Sequence, residues 1–177
     1  TYLRYSNLTN AKLVNANLAY AQLGYVNLAD ADLRHANMAN TILYYANLKD
    51  ANLFSADLSN VNLYEADLTD ADLSYADLPN AYLYRTNFTN ANLGNTDLTN
   101  VNIQQADLTN ANLYDADLTN ARLRLADLTD ANLQYVNLTD ADLRNTDLTN
   151  ALLTYADLTN ADFTSATVTN TDFYATT

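Results

Sequence analysis

An apolar residue occupies every fifth position of the chain without a single slip in register. From Leu3 to Phe173 there are 35 such centres, 29 of them Leu. The rest are Met38, Phe88, Ile103, Phe163, Val168 and Phe173, all apolar. Two residues before each centre stands a small residue, Ala at 24 positions and otherwise Thr, Val or Ser. The residue immediately before the centre is Asn or Asp at 27 of 35 positions. The two positions after the centre vary, with pairs such as Thr109-Asn110 common.

A period of five suits neither an α-helix nor a flat strand. In a helix the Leu row would wind around the circumference, advancing about 140° per repeat. In a strand five is odd, so successive Leu would face opposite sides. The pattern is satisfied if each repeat makes one short extended side and then turns a corner. The small residue and the Leu then point inward, the other three residues face water, and Asn and Asp serve the turns through side-chain bonds to nearby backbone. Like residues recur twenty positions apart: Tyr5, Tyr25 and Tyr45; Tyr44, Tyr64 and Tyr84; Arg124 and Arg144; Tyr135 and Tyr155. Four sides to a coil would stack them.

The motif A-(D/N)-L-x-x, as in Ala56-Asp57-Leu58-Ser59-Asn60 and Ala116-Asp117-Leu118-Thr119-Asn120, resembles that of the pentapeptide repeat proteins over essentially the whole chain. The resemblance implies an all-β fold, a right-handed quadrilateral parallel β-helix with four five-residue sides per coil. Thirty-five repeats make nearly nine coils, a rod roughly 40 Å long at the usual strand spacing. Residues 1–177 are expected to be one such solenoid with no linker or second domain. The chain enters at Thr1-Tyr2-Leu3, already inside the pattern, as a processed or excised segment would.

Sorting residues by side separates the charge. The chain carries a net −13. The sides centred on Leu8 and Leu18 hold −7 and −6, the Leu13 side −2, and the Leu3 side +2. The acidic sides are opposite one another. Asp67, Asp107, Asp127 and Asp147 form a column on the Leu8 side, and Asp57, Asp77, Asp97 and Asp117 one on the Leu18 side. The Leu3 side between them carries eight of the fourteen Tyr and five of the eight basic residues. Its candidate interaction face is Tyr5, Tyr25, Tyr44, Tyr45, Tyr64, Tyr82, Tyr84, Arg85, Arg122, Arg124 and Arg144. Tyr and Arg are enriched in interface hot spots, although stacked Tyr would also stabilise adjacent coils by themselves. This side departs most from Asn or Asp before its centres, with Tyr2, Gln22, Ile42, Tyr82 and Arg122.

Catalytic chemistry is not legible. His35 is the only histidine and reads as a solvated side residue; Cys is absent, so neither a transition-metal site nor any other cofactor is expected. Gly24 and Gly94 are the only glycines, too few for a phosphate-cradling loop. The acidic balance opposes direct binding to nucleic acid or to an anionic membrane. No apolar run approaches a membrane span or a signal-peptide core, which favours the cytoplasm without naming a compartment. The expectation is a non-enzymatic interaction scaffold with a protein partner. The family resemblance adds two readings: an acidic DNA mimic acting on DNA gyrase, and an end-to-end homodimer, here through Phe163, Phe173 and Tyr174. A structural spacer within a larger protein is a further alternative; an ice-binding Thr array or a cation stripe is more distant.

Overall fold

The side–corner pattern leads to a coil in which each backbone group has an assigned partner. In a computed structural model that describes residues 2–177, the residue before each centre bridges its counterpart twenty positions on, always in parallel. The register runs from Tyr2↔Gln22 to Leu152↔Asp172. Twenty residues therefore close one four-sided coil. Each side is narrower than a strand: a single bridged residue, followed by a two-residue turn. No helix of the described residues is long and apolar enough to cross a membrane.

The repeat Ser6–Asn10 shows how the N–H groups are used. Ser6 N–H donates to Leu3 C=O across the corner (3.2 Å). Leu8 and Asn10 N–H donate to Asn27 and Ala29 C=O on the next coil (2.7 and 2.9 Å). One coil later, Asn27 N–H donates back to Ser6 C=O (2.9 Å). That accounts for four of every five N–H groups. The fifth, on the residue after the centre, has no backbone carbonyl to reach and is met by a side chain: Asn7 Oδ1 accepts from Thr9 N–H at 3.1 Å. This Asx turn recurs at 26 of the 27 Asn or Asp residues in that position. The exception is Asp77, because residue 79 is Pro and has no N–H to offer.

The second turn residue is left-handed in all 35 repeats, with φ between 51° and 62°. Twenty of these residues are Asn or Asp, the types that tolerate the conformation best after Gly, and none is β-branched. Neither glycine is among them. The corner thus selects the polar residues, while the interior selects Ala and Leu. From Ala21 to Ala156 the inward-facing apolar residues are no more than 2% exposed. The first and last coils, each with a neighbour on one side only, hold Leu3, Leu8, Leu13, Leu18, Leu158, Phe163 and Phe173 partly buried. Amide ladders reinforce the Leu13 side, where Asn132 donates to Asn112, Asn112 to Asn92, and Asn92 to Asp72 (2.9, 3.0 and 3.1 Å).

Only Oδ1 of each turn-forming carboxylate is needed, so the amide and the acid are interchangeable there. Asp117→Asn is expected to leave stability within about 0.5 kcal/mol, whereas Asp117→Ala loses the bond to Thr119 N–H and costs about 1 kcal/mol. Urea denaturation of the two variants separates these outcomes.

Candidate functional site

The side chains that point outward fall into columns, because equivalent positions stack coil on coil. On the Leu3 side Tyr5, Tyr25 and Tyr45 occupy left-handed corners and stack with centroids 4.9 Å apart and planes within 11°. Tyr44, one residue before its corner, stands at 89–90° to Tyr25 and Tyr45. Tyr64, Tyr82 and Tyr84 form a second group with planes within 9° of one another and pairwise centroid distances of 6.0–6.3 Å. Two guanidiniums close against the rings. Arg4 lies 5.8 Å from the Tyr44 centroid and donates to Gln22 (2.9 Å). Arg85 lies 5.4 Å from the Tyr84 centroid, donates to Gln105 (2.9 Å) and pairs with Glu65 (3.3 Å).

Glu65 ties these groups together. Its carboxylate accepts from the Tyr64 hydroxyl, which holds the carboxyl below its ordinary value, aided by Arg85. The same bond pushes the Tyr64 phenol up to about 12, and the neighbouring Tyr45 hydroxyl adds to the rise. Further along the side the rings give way to cations. Arg144 makes a bidentate pair with Asp142 (both contacts 2.7 Å) and reaches Asp162 at 3.6 Å. Arg122 and Arg124 are exposed and make no ion pair among the described residues.

The structure brings the expected acidic residues together only in part. Asp57, Asp77, Asp97 and Asp117 are consecutive bridge partners on the Leu18 side. On the Leu8 side Asp107, Asp127 and Asp147 are consecutive, but Asn87 separates them from Asp67, which pairs with Lys49 at 3.1 Å. All of these carboxylates except Asp77 have one oxygen engaged at the corner. Asp147 shows the effect: the Thr149 hydroxyl and N–H hold its carboxyl low. Among the described residues no three of His, Asp and Glu converge as a metal cradle. Phe163 and Phe173 meet edge to face at 6.2 Å, with Tyr174 exposed and edge-on to Tyr155 at 5.8 Å.

Two features escaped the sequence. The first is a second aromatic column, on the Leu13 side. His35 packs edge-on against Phe54 (5.6 Å) and Phe54 against Tyr75 (5.6 Å); beyond an interruption at Gly94 and Asn95, Tyr114, Tyr135, Tyr155 and Tyr174 form a second run with successive rings 5.0–5.8 Å apart. His35 is thus exposed yet packed rather than simply solvated. A search for twenty-residue spacing finds Tyr135 and Tyr155 but misses the steps of 19 and 21, where a corner residue meets the residue before the next corner. The second is Gly24. A Cβ there would stand 2.8 Å from the Tyr44 ring, so the glycine makes room for that ring to lie on the side.

These elements define a class: a quadrilateral solenoid whose outer surface is a set of parallel side-chain columns. The family model for pentapeptide repeats matches the chain in eight copies, over residues 1–34, 21–60, 31–70, 66–105, 106–145 and 141–177. The chain belongs to the pentapeptide repeat family. It is similar to HetL of the cyanobacterium Nostoc sp. strain PCC 7120, a pentapeptide repeat protein involved in heterocyst differentiation regulation. Identity is 31% and the TM-score 0.65, covering 99% of this chain and 86% of HetL. It also shares the fold of a trypsin-treated form of QnrB1, a plasmid-mediated fluoroquinolone resistance protein, at 16% identity and a TM-score of 0.55, over 99% of this chain and 90% of that one. No curated protein matches the chain.

Asp77 supplies a pH test of the acidic columns. Its carboxyl is raised above 3.8, first by the partial desolvation it meets on the side and then by Asp97 and Asp57. An acid whose folded pKa is raised binds its proton more tightly in the native state, so ionisation subtracts stability once the pH exceeds that value. Asp77→Asn is therefore expected to raise the melting temperature at pH 7, with the gain fading as the pH falls towards 3.8. A melting series from pH 7 to pH 3 checks the sign.

Proposed function

We propose that this chain is a non-enzymatic interaction scaffold, a right-handed quadrilateral rod over 1–177 that binds a protein partner through its Leu3 side. One observation carries the reading. Asn or Asp, the residue whose Asx bond closes a corner, is replaced before the centre at eight repeats, and five of the eight replacements lie on this side, at Tyr2, Gln22, Ile42, Tyr82 and Arg122. The Leu18 side has none. Each missing bond forgoes about 1 kcal/mol. A rod selected only for stability would keep Asn or Asp at these positions. Departure from a local rule concentrated on one face, in favour of residues typical of interface hot spots, is the mark of a surface shaped by a partner.

A second reading draws on the two acidic sides. Carboxylate columns on opposite faces of a narrow rod support a DNA-mimic action on DNA gyrase, and Asp57, Asp97, Asp117, Asp107 and Asp127 would carry it. Phe163, Phe173 and Tyr174 are the candidate contacts for end-to-end pairing of two rods. The two main readings use different faces, so they separate experimentally.

Affinity capture with the wild-type chain, with Tyr44→Ala plus Tyr64→Ala, and with Tyr135→Ala plus Tyr155→Ala is expected to lose the specific partner only with the first pair, by about tenfold or more, at little change in melting temperature. A large fall in melting temperature with partner retention unchanged would assign the Tyr columns to stability alone. Gyrase supercoiling, assayed at two salt concentrations, tests the second reading: inhibition that fades with salt supports it, and no inhibition at any concentration removes it.

A further inference from the structure

The rings at the first left-handed corners of the Leu3 side repeat by translation. Tyr5, Tyr25 and Tyr45 hold the same place in successive coils, with φ of 61°, 60° and 56°. Their centroids are 4.9 Å apart and their planes agree within 11°. That spacing matches the rise of one coil, about 4.8 Å. Each ring is therefore its neighbour moved one coil along the rod, and like atoms face like atoms, Cε beside Cε. The backbone holds this register: Tyr5 N–H donates to Gly24 C=O and Tyr25 N–H to Tyr44 C=O (3.2 and 3.0 Å). All three rings are open to solvent, at 75%, 43% and 40% exposure. The guanidiniums of Arg4 and Arg85 lie over Tyr44 and Tyr84, not over this column.

Tyr135 and Tyr155 repeat the arrangement on the Leu13 side, 5.0 Å apart and within 12°. Their neighbours do not. Tyr114 is tilted by 57° to Tyr135, and Tyr174 stands at 88° to Tyr155. Tyr64, Tyr82 and Tyr84 are parallel but 6.0–6.3 Å apart. Parallel phenols held with their ortho carbons adjacent are prepared for one reaction, oxidative coupling. Fixed proximity makes that reaction effectively unimolecular.

We propose that the column of Tyr5, Tyr25 and Tyr45, and with it the Tyr135–Tyr155 pair, is a site of oxidative modification. A peroxidase using peroxide, acting as a one-electron oxidant, joins neighbouring rings as dityrosine. Each phenol gives one electron to the oxidant and its hydroxyl proton to water. The two phenoxyl radicals couple through Cε of one ring and Cε of the other. The hydrogen on each coupled carbon then moves through water to the oxygen, which restores two phenols. Two electrons and two protons leave in all, and one hydrogen peroxide takes them up to give two waters. Each new bond links residues twenty apart in sequence, so it staples one coil to the next and resists the opening of that coil. The chemistry does not depend on a partner occupying this side.

The full chain, held dilute, is treated with a peroxidase and hydrogen peroxide to low conversion, then unfolded and digested with trypsin. Cleavage after Arg4, Lys12, Arg34 and Lys49 puts Tyr5, Tyr25 and Tyr45 on separate peptides, 5–12, 13–34 and 35–49; Tyr135 and Tyr155 fall on 125–144 and 145–177. Mass spectrometry is expected to find 5–12 joined to 13–34, 13–34 to 35–49, and 125–144 to 145–177, each two hydrogens lighter than the sum, in chains that remain monomeric. Fragmentation should place the link in 13–34 at Tyr25 rather than at the more exposed Tyr20 (71%). Tyr25→Phe keeps a stacked ring without an oxidisable hydroxyl; it should lose both links to 13–34 and retain the one between 125–144 and 145–177. Four results overturn the proposal: links mainly between separate chains, products led by Tyr20, Tyr114–Tyr135 links as abundant as Tyr135–Tyr155 links, or no linked peptides while free tyrosine in the same solution is coupled.

Discussion

One N–H in five has no backbone partner in this coil, and the identity of the surface follows from how it is met. The residue after each centre points its N–H away from both neighbouring coils. An Asn or Asp two positions earlier supplies the acceptor, and the next residue turns the corner in the left-handed conformation. An unpaired polar group at every corner would weaken the rod 35 times over. The repeat is therefore as much a solution to a hydrogen-bonding problem as a pattern of core residues. Ala and Leu fill the interior, but the Asx residue makes a five-residue side able to close.

The same constraint distinguishes decoration from structure. Most of the acidic charge serves the corners, because Asp performs there the task that Asn also performs. The charged columns are thus partly a by-product of folding, and their second oxygens are what a partner would meet. The Leu3 side is different. It drops the Asx residue at five of its repeats, and, as the Leu13 side also does, it accepts Tyr at left-handed corners, where bulky residues are disfavoured. Stacking returns some of that loss within the chain. The remainder is unexplained by stability, which is why this face, rather than the more highly charged ones, is the basis of the functional proposal.

Much of this was legible in the sequence because a strict period turns one-dimensional spacing into three-dimensional neighbourhood. The inward Ala and Leu rows, the four-sided coil and the stacks of Tyr5, Tyr25 and Tyr45 follow from counting by five and twenty. What counting could not reach depends on direction rather than spacing. The aromatic column of the Leu13 side alternates between two positions of the turn, so Phe54 and Tyr75 meet across a step of 21. Gly24 matters through the ring of Tyr44 on the next coil, and nothing in its own repeat announces that. Asp77 stands apart from Asp57 and Asp97 because of a proline two residues later. Nor does composition show that a side narrows to a single bridged residue, since that depends on where the turn begins.

The central claim is that the fifth N–H governs which residues the surface can hold without loss. Its most direct test is urea denaturation of a variant that restores the missing acceptor at three well-separated corners: Ile42→Asn, Arg122→Asn and Leu152→Asn. Each lacks the bond to the N–H two residues on, and Leu152→Asn would also extend the amide ladder that ends at Asn132. The account predicts a stabilisation of about 1 kcal/mol per site, adding across the three. Unchanged or lower stability would contradict it, and would mean that the corner closes equally well without the side-chain acceptor.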